Sequence, residues 1–127
     1  MNCPCGNPKS YAACCQVAHQ SITNVKTAEQ LMRSRYTAFT MGNGDYLMQS
    51  HHSTTQPTQE KENIENWANS VVWLGLDVLH TTKGLATDNE GTVEFTAHFL
   101  ENGKPATIHE NSKFIKENGL WMYLGIV

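Results

Sequence analysis

All four cysteines of this chain fall within its first fifteen residues, as Cys3-Pro4-Cys5-Gly6 and then Cys14-Cys15. A segment this short cannot build a core of its own, so its order must come from a cross-link or a bound metal. Disulfides fit poorly. Neighbouring Cα atoms lie about 3.8 Å apart, below the roughly 4.4–6.8 Å that a disulfide prefers. A Cys14–Cys15 bridge would therefore be strained. Crossed bridges from Cys3 and Cys5 are sterically open but need an oxidising compartment. Met1-Asn2-Cys3 leads straight into the motif with no charged start and no apolar run, so a reducing, cytoplasmic setting is expected. There, clustered cysteines bind metal or do redox chemistry.

Zinc suits the set best, because it takes four thiolates in a closed tetrahedron with no position left for substrate. Pro4 stiffens the first pair, and Gly6-Asn7-Pro8 can carry the chain round toward the second. Copper(I) and iron–sulfur clusters also accept thiolates. A redox switch is the main alternative, since the metal-free loop can oxidise. The expected ligands are Cys3, Cys5, Cys14 and Cys15 around one ion. A mixed set using His19 is the lesser option.

The run Cys3-Pro-Cys5-Gly-Asn-Pro-Lys9-Ser-Tyr11-Ala-Ala-Cys14-Cys15 resembles the SEC-C zinc motif, known from the C-terminus of the SecA translocation ATPase. Lys9 and Tyr11 match the lysine and aromatic common inside that loop, while Asn7-Pro8 replaces the usual Ser-Gly. The resemblance implies zinc on the four cysteines and a protein-docking role for the loop.

The whole chain has 127 residues, 39% of them hydrophobic, and a net charge of −3. That is one domain with a small appendage. Four thiolates holding a divalent ion would take the charge to about −5. Only Arg33-Ser34-Arg35 approaches a basic patch, so nucleic-acid binding is not expected. No stretch is apolar and long enough to span a membrane.

Beyond Cys15, the polar run Gln16 to Val25 reads as a linker or a frayed turn. Thr27 with Gln30 gives a capping-box start, and Ala28, Leu31, Met32, Arg35, Tyr36 and Phe39 follow at helical spacing. Gly42-Asn43-Gly44 ends that helix. Asp45 is the expected N-cap of a short second helix, and Glu60 to Ala68 forms a third, with Ile64, Trp67 and Ala68 on one face. From Val71 the period becomes two. Leu74, Leu76 and Val78 share one face of the first strand. Val93, Phe95, Ala97 and Phe99 line the second. Asn102-Gly103 and Asn118-Gly119 signal hairpins leading into a third strand, Thr107 to Lys116, and a fourth, Leu120 to Ile126. Helices followed by an antiparallel meander make an α+β fold.

That order, with Ala38-Phe39 and then Gly44-Asp45-Tyr46-Leu47 between the first two helices, is similar to the NTF2-like superfamily. Together with the cysteine loop it resembles the bacterial UPF0225 (YchJ-like) family. The stretches that carry the likeness include Leu31-Met-Arg-Ser-Arg-Tyr36, Trp73-Leu-Gly-Leu76 and Lys116-Glu-Asn-Gly119 with Trp121. The resemblance implies a loop over 1–20 and an NTF2-like cone over 26–127, helices packed on a curved four-stranded sheet around a pocket. Longer members add a second SEC-C motif at the C-terminus; this sequence stops at Val127.

Ile108, Glu110, Ser112 and Phe114 share one face of the third strand, so Glu110 and Ser112 are expected to face the cavity. Glu110 is read first as the partner of Arg33 or Arg35 in a buried ion pair, and otherwise as a general base. His52 is the second acid–base candidate, with a surface role as its plainer reading. Trp73, Trp121 and Tyr123 are expected in the core or at a dimer face. His19, His80 and His98 have no assigned role. No phosphate-binding glycine loop or nucleophile elbow is present. These readings lead to a zinc-binding accessory protein, with the zinc loop meeting a protein partner. The rivals are a small-molecule binder or enzyme acting in the pocket, and a redox or zinc-stress sensor.

Overall fold

Thr27 and Gly42 bracket the helix on which the rest of the molecule is assembled. In the computed structural model, which describes residues 2–127, the order is α1 (Cys15–Gln20), α2 (Ala28–Met41), α3 (Gly44–Gln49), α4 (Lys61–Ser70), β1 (Val72–Lys83), β2 (Glu90–Glu101), β3 (Lys104–Glu117) and β4 (Leu120–Ile126). The first residue of the 1–20 loop lies outside the described residues. Thr27 Oγ1 accepts the Gln30 N–H at 3.1 Å. Gln30 Oε1 reaches back one residue further than a capping box requires, to the Lys26 N–H at 2.7 Å. Gly42 closes α2 at φ 64°, and a Cβ there would also strike the Asn69 side chain.

Asn43, not Asp45, caps α3: its Oδ1 accepts the Tyr46 N–H at 3.1 Å. The chain at Asn43 is still non-helical, as an N-cap must be, whereas Asp45 already lies in the first turn. There its charge favours the positive helix end, and it pairs with Lys61 at 2.6 Å.

The stretch from Gln16 to Val25 is neither a linker nor a frayed turn. It forms α1 and a 3-10 turn over Ile22–Asn24, with Ala18, Ile22 and Val25 buried in the main core. Its polar residues conceal a short apolar face that periodicity over so few residues does not reveal.

The sheet is antiparallel in the order β1-β2-β3-β4. Both Asn-Gly pairs turn with positive φ at each position, 54° and 76° for Asn102-Gly103, 53° and 80° for Asn118-Gly119. Those are the angles of a type I′ hairpin, whose twist matches the strands it joins. Strand β1 departs from simple alternation. Trp73 faces Phe99 and Gly75 faces His98, so Leu74 is an extra residue. This bulge turns Leu74 outward, 57% exposed. It puts Trp73, instead of Leu74, beside Leu76 and Val78 against the core.

α2 lies across the sheet, packing on β1, β2 and β4. Leu31, Met32, Tyr36, Val93, Phe114 and Trp121 are buried between them, each such side chain stabilising the fold by roughly 1.5–3 kcal/mol. Ser34, Thr37 and Ala38 are also fully buried. α2 is therefore enclosed on two faces, one toward the sheet and one toward α1 and the cysteine loop. Among the described residues, no helix is long and apolar enough to cross a membrane.

Candidate metal site and interior cavity

The cysteine loop is shaped by three local devices. The Cys3 N–H bonds to the Lys9 carbonyl at 2.6 Å, and the Gly6 N–H to the Cys3 carbonyl at 3.1 Å. Gly6 takes φ 95°, a turn that a Cβ would oppose. Ser10 then caps a 3-10 turn, Tyr11–Ala13, accepting the Ala13 N–H at 3.3 Å. That turn delivers Cys14 and opens α1 at Cys15.

The four Sγ atoms consequently lie within 4.8 Å of one another. Cys5 and Cys14 are 3.6 Å apart. A zinc–thiolate length of about 2.3 Å sets the edge of a sulfur tetrahedron at about 3.8 Å, so the set is near the size that a single ion needs. All four are free thiols, and three are buried. His19 is not among the clustered donors.

Donors from α2 and from the loop itself are directed at the sulfurs and their backbone. The buried Thr37 hydroxyl donates to Cys15 Sγ at 3.3 Å, with Cys3 Sγ at 3.8 Å on its other side. Asn7 Nδ2 donates to Cys14 Sγ at 3.5 Å. Arg33 Nη1 holds the Cys5 carbonyl at 2.7 Å while its Nε pairs with Glu29 at 2.9 Å. His19 fastens the loop to α2: it takes the Tyr11 hydroxyl on Nδ1 and donates from Nε2 to the Ser34 carbonyl, both at 2.8 Å. Burial holds its pKa down, which keeps it in the neutral form that this bridge requires.

Charge in the cluster is uneven. The Cys15 thiol, the Asn7 N–H and the other two thiols all donate toward Cys5, lowering its pKa to about 5 against the opposing effect of burial. Cys15 retains its proton because it donates to Cys5 and is buried. Burial, together with the charge on Cys5, raises Cys14. Four thiolates at this separation repel one another, and a cation in their midst reverses that. Binding an ion would expel the remaining protons.

A second site lies on the sheet side of α2, a cavity of about 260 Å³. Glu110 and Ser112 both line it, as does Arg35, together with Trp73 and Tyr123. Trp121 is instead buried in the core. The ion pair expected for Glu110 is not formed. Arg33 faces the cysteine loop. Arg35 gives Nη1 to the Leu47 carbonyl at 2.9 Å and to Ser50 Oγ at 2.7 Å, and its guanidinium sits 4.6 Å over the Tyr123 ring. Those acceptors at the end of α3 are what draw it away from the carboxylate. Burial lowers the Arg35 pKa to about 10, so it stays charged. Among the described residues Glu110 keeps a single hydrogen bond, from Ser112 Oγ at 3.3 Å.

His52 lies outside the cavity, bonded to Thr54 at 2.8 Å and 3.8 Å from Glu117. Its neighbour His51 is the one that lines it, edge-on to Tyr123 with ring centroids 5.0 Å apart. His51 lies on a short bridge to Tyr123, and there side chains alternate, so adjacent residues part ways. Burial and the nearby Arg35 charge lower its pKa to about 4. His98 and His109 pair on the outer face with Asp77 and Glu94. Sequence reasoning passed over Thr37, gave Arg33 a different role as a possible partner of Glu110, and passed over His51. The signal for the first two was a second stripe on α2, Arg33-Ser34-Thr37, too polar to be read as buried.

Comparison with known proteins places the chain among relatives. A family model described as the YchJ middle NTF2-like domain matches residues 27–125. A UPF0225 protein of Vibrio parahaemolyticus is 42% identical over 123 residues, spanning 97% of this chain and 72% of that one. A UPF0225 protein of Chromobacterium violaceum is 38% identical, over 96% of this chain and 89% of its own length. The solution structure of a SEC-C motif containing protein from Rhodopseudomonas palustris superposes with a TM-score of 0.85 at 31% identity, covering 98% of this chain and 95% of that one. A crystal structure of a SEC-C motif containing protein from Psychrobacter arcticus gives 0.81, also at 31% identity, over 98% and 80%.

Proposed function

We propose that this chain, which belongs to the UPF0225 family of YchJ-like proteins, is a zinc-binding accessory protein. In this reading Cys3, Cys5, Cys14 and Cys15 hold one structural zinc ion. The observation that carries it is the convergence of four sulfurs within 4.8 Å, with Thr37 and Asn7 donating to two of them. Such outer donors orient ligands and temper their charge. A closed four-sulfur set leaves the ion no open position, so its task is to fix the loop rather than to activate water. Residues 1–20 then act as the metal module and 26–127 as the NTF2-like body.

The loop is the docking surface for a protein partner. Its sulfurs turn inward, while Pro4, Pro8, Lys9, Ala12 and Ala13 turn outward. A groove of about 390 Å³ runs between the loop and the body, past Lys9, Arg33 and Lys83. Native mass spectrometry of the full chain tests the metal. One zinc ion, lost to a strong chelator together with the order of residues 3–15 in NMR spectra, is the expected result. A chain that carries no metal after refolding in excess zinc would end this reading.

A further inference from the structure

The cavity beneath α2 combines an aromatic wall with two opposite charges that do not meet. Tyr36, Phe39, Trp67, Trp73 and Phe95 line it. Trp67 and Trp73 stand edge-to-face, 5.5 Å apart at 86°, and Trp73 lies 5.9 Å from Phe39. At the polar part, Arg35 uses Nη1 for Leu47 and Ser50. Among the described residues, no hydrogen bond occupies its Nε or Nη2. Glu110 has only the long bond from Ser112, leaving Oε1 without a partner. No buried side-chain nitrogen or oxygen in the described residues lacks a partner, so these free atoms are not sealed in the interior, and both side chains line the cavity. It therefore offers a donor and an acceptor on one lining, not in contact with each other, next to flat apolar surface.

Each class of occupant can be judged against that layout. A carboxylate would meet Arg35 but be repelled by Glu110. A cation would meet Glu110 but be repelled by Arg35. A wholly apolar molecule would strip water from both charges and return no hydrogen bond. A neutral ring whose edge carries a carbonyl beside an N–H answers both groups: its oxygen accepts from Arg35, and its N–H donates to Glu110. Bonds to charged partners are about twice as strong as neutral ones. The rings of Trp73 and Phe39 would pack on the flat body. The volume, about 260 Å³, is below the roughly 300–1,000 Å³ of drug-sized sites, which limits the occupant to one or two rings.

We propose that this cavity binds a small, uncharged aromatic heterocycle with a lactam edge, held between Arg35 and Glu110 and packed against Trp73. The site is separate from the metal module.

The test uses the full zinc-loaded chain and follows the indole N–H signals of Trp67 and Trp73 by NMR. The probes are quinolin-2-one, N-methylquinolin-2-one and quinoline-2-carboxylate. Quinolin-2-one is expected to shift both signals saturably. The N-methyl compound, which lacks the donor, and the carboxylate should each bind at least tenfold more weakly. Glu110→Leu should weaken quinolin-2-one binding by a similar factor while the remaining spectrum stays that of the wild type. Absence of saturable shifts at millimolar quinolin-2-one would overturn the proposal, as would equal binding of the three probes. If Glu110→Leu does not fold, the probe series on the wild type decides alone.

Discussion

The cysteine cluster and the sheet cavity flank the same helix, yet they are built in opposite ways. The cluster takes its four sulfurs from one short stretch, shaped by turns whose partners are close in sequence, such as Cys3 with Lys9 and Ser10 with Ala13. The cavity draws its wall from α2, α4 and the sheet, with Arg35, Trp67, Trp73 and Glu110 meeting only once the chain has folded. On the proposed reading, a site of the first kind depends on a bound metal. A site of the second kind depends on the packed core and should outlast the metal's removal.

The largest expected effect tests that independence. Cys5→Ser removes a buried side chain of the proposed ligand set, and the loop should lose at least about 3 kcal/mol of stability in the presence of zinc. Denaturant titration should then show two steps, with the near-ultraviolet signal of the Trp67–Trp73 pair persisting through the first. A single transition would mean that the loop and the body unfold as one unit.

Thr37→Val keeps the shape of the side chain and removes the hydroxyl that donates to Cys15 Sγ. Zinc affinity should fall about tenfold, or ~1.4 kcal/mol, as is typical of outer-shell partners. Competition with a chromogenic chelator measures this. Quinolin-2-one binding in the cavity should not change.

The smallest effect belongs to the cavity alone. His51 has a folded pKa near 4 against 6.5 in its unperturbed state. The unfolded chain therefore binds the extra proton first, and stability falls as pH drops from about 6.5 toward 4. After allowance for its partial exposure, the loss is on the order of 1 kcal/mol. His51→Phe retains the ring against Tyr123 and should flatten that slope by the same amount. The cysteine contribution is common to both proteins and cancels in the difference. Identical slopes would show that His51 is not held neutral.

The two sites also differed in how far the residues alone disclosed them. Metal-ligand spacing is a local pattern, and the four cysteines that stand together in the fold are the four that the spacing singled out. The type I′ turns at Asn102-Gly103 and Asn118-Gly119 were equally local, and so was the Gly42 stop. The cavity needed more. One bulged residue, Leu74, exchanged which side of β1 faces inward and brought Trp73 to the wall. One step along a short bridge separated His51 from His52. Arg35 bonded to acceptors at the end of α3 rather than to the carboxylate expected for it. Each of these choices is settled by partners distant in sequence, which alternation and composition do not contain.

Because α2 is gripped from both sides, it behaves like a keyed shaft. Arg33 and Thr37 engage the loop on one flank, and Arg35 engages α3 on the other. Slipping the helix by one residue would turn it through about 100°, disengaging every tooth together. The angular setting of this single rod thus governs the alignment of two sites that never touch each other.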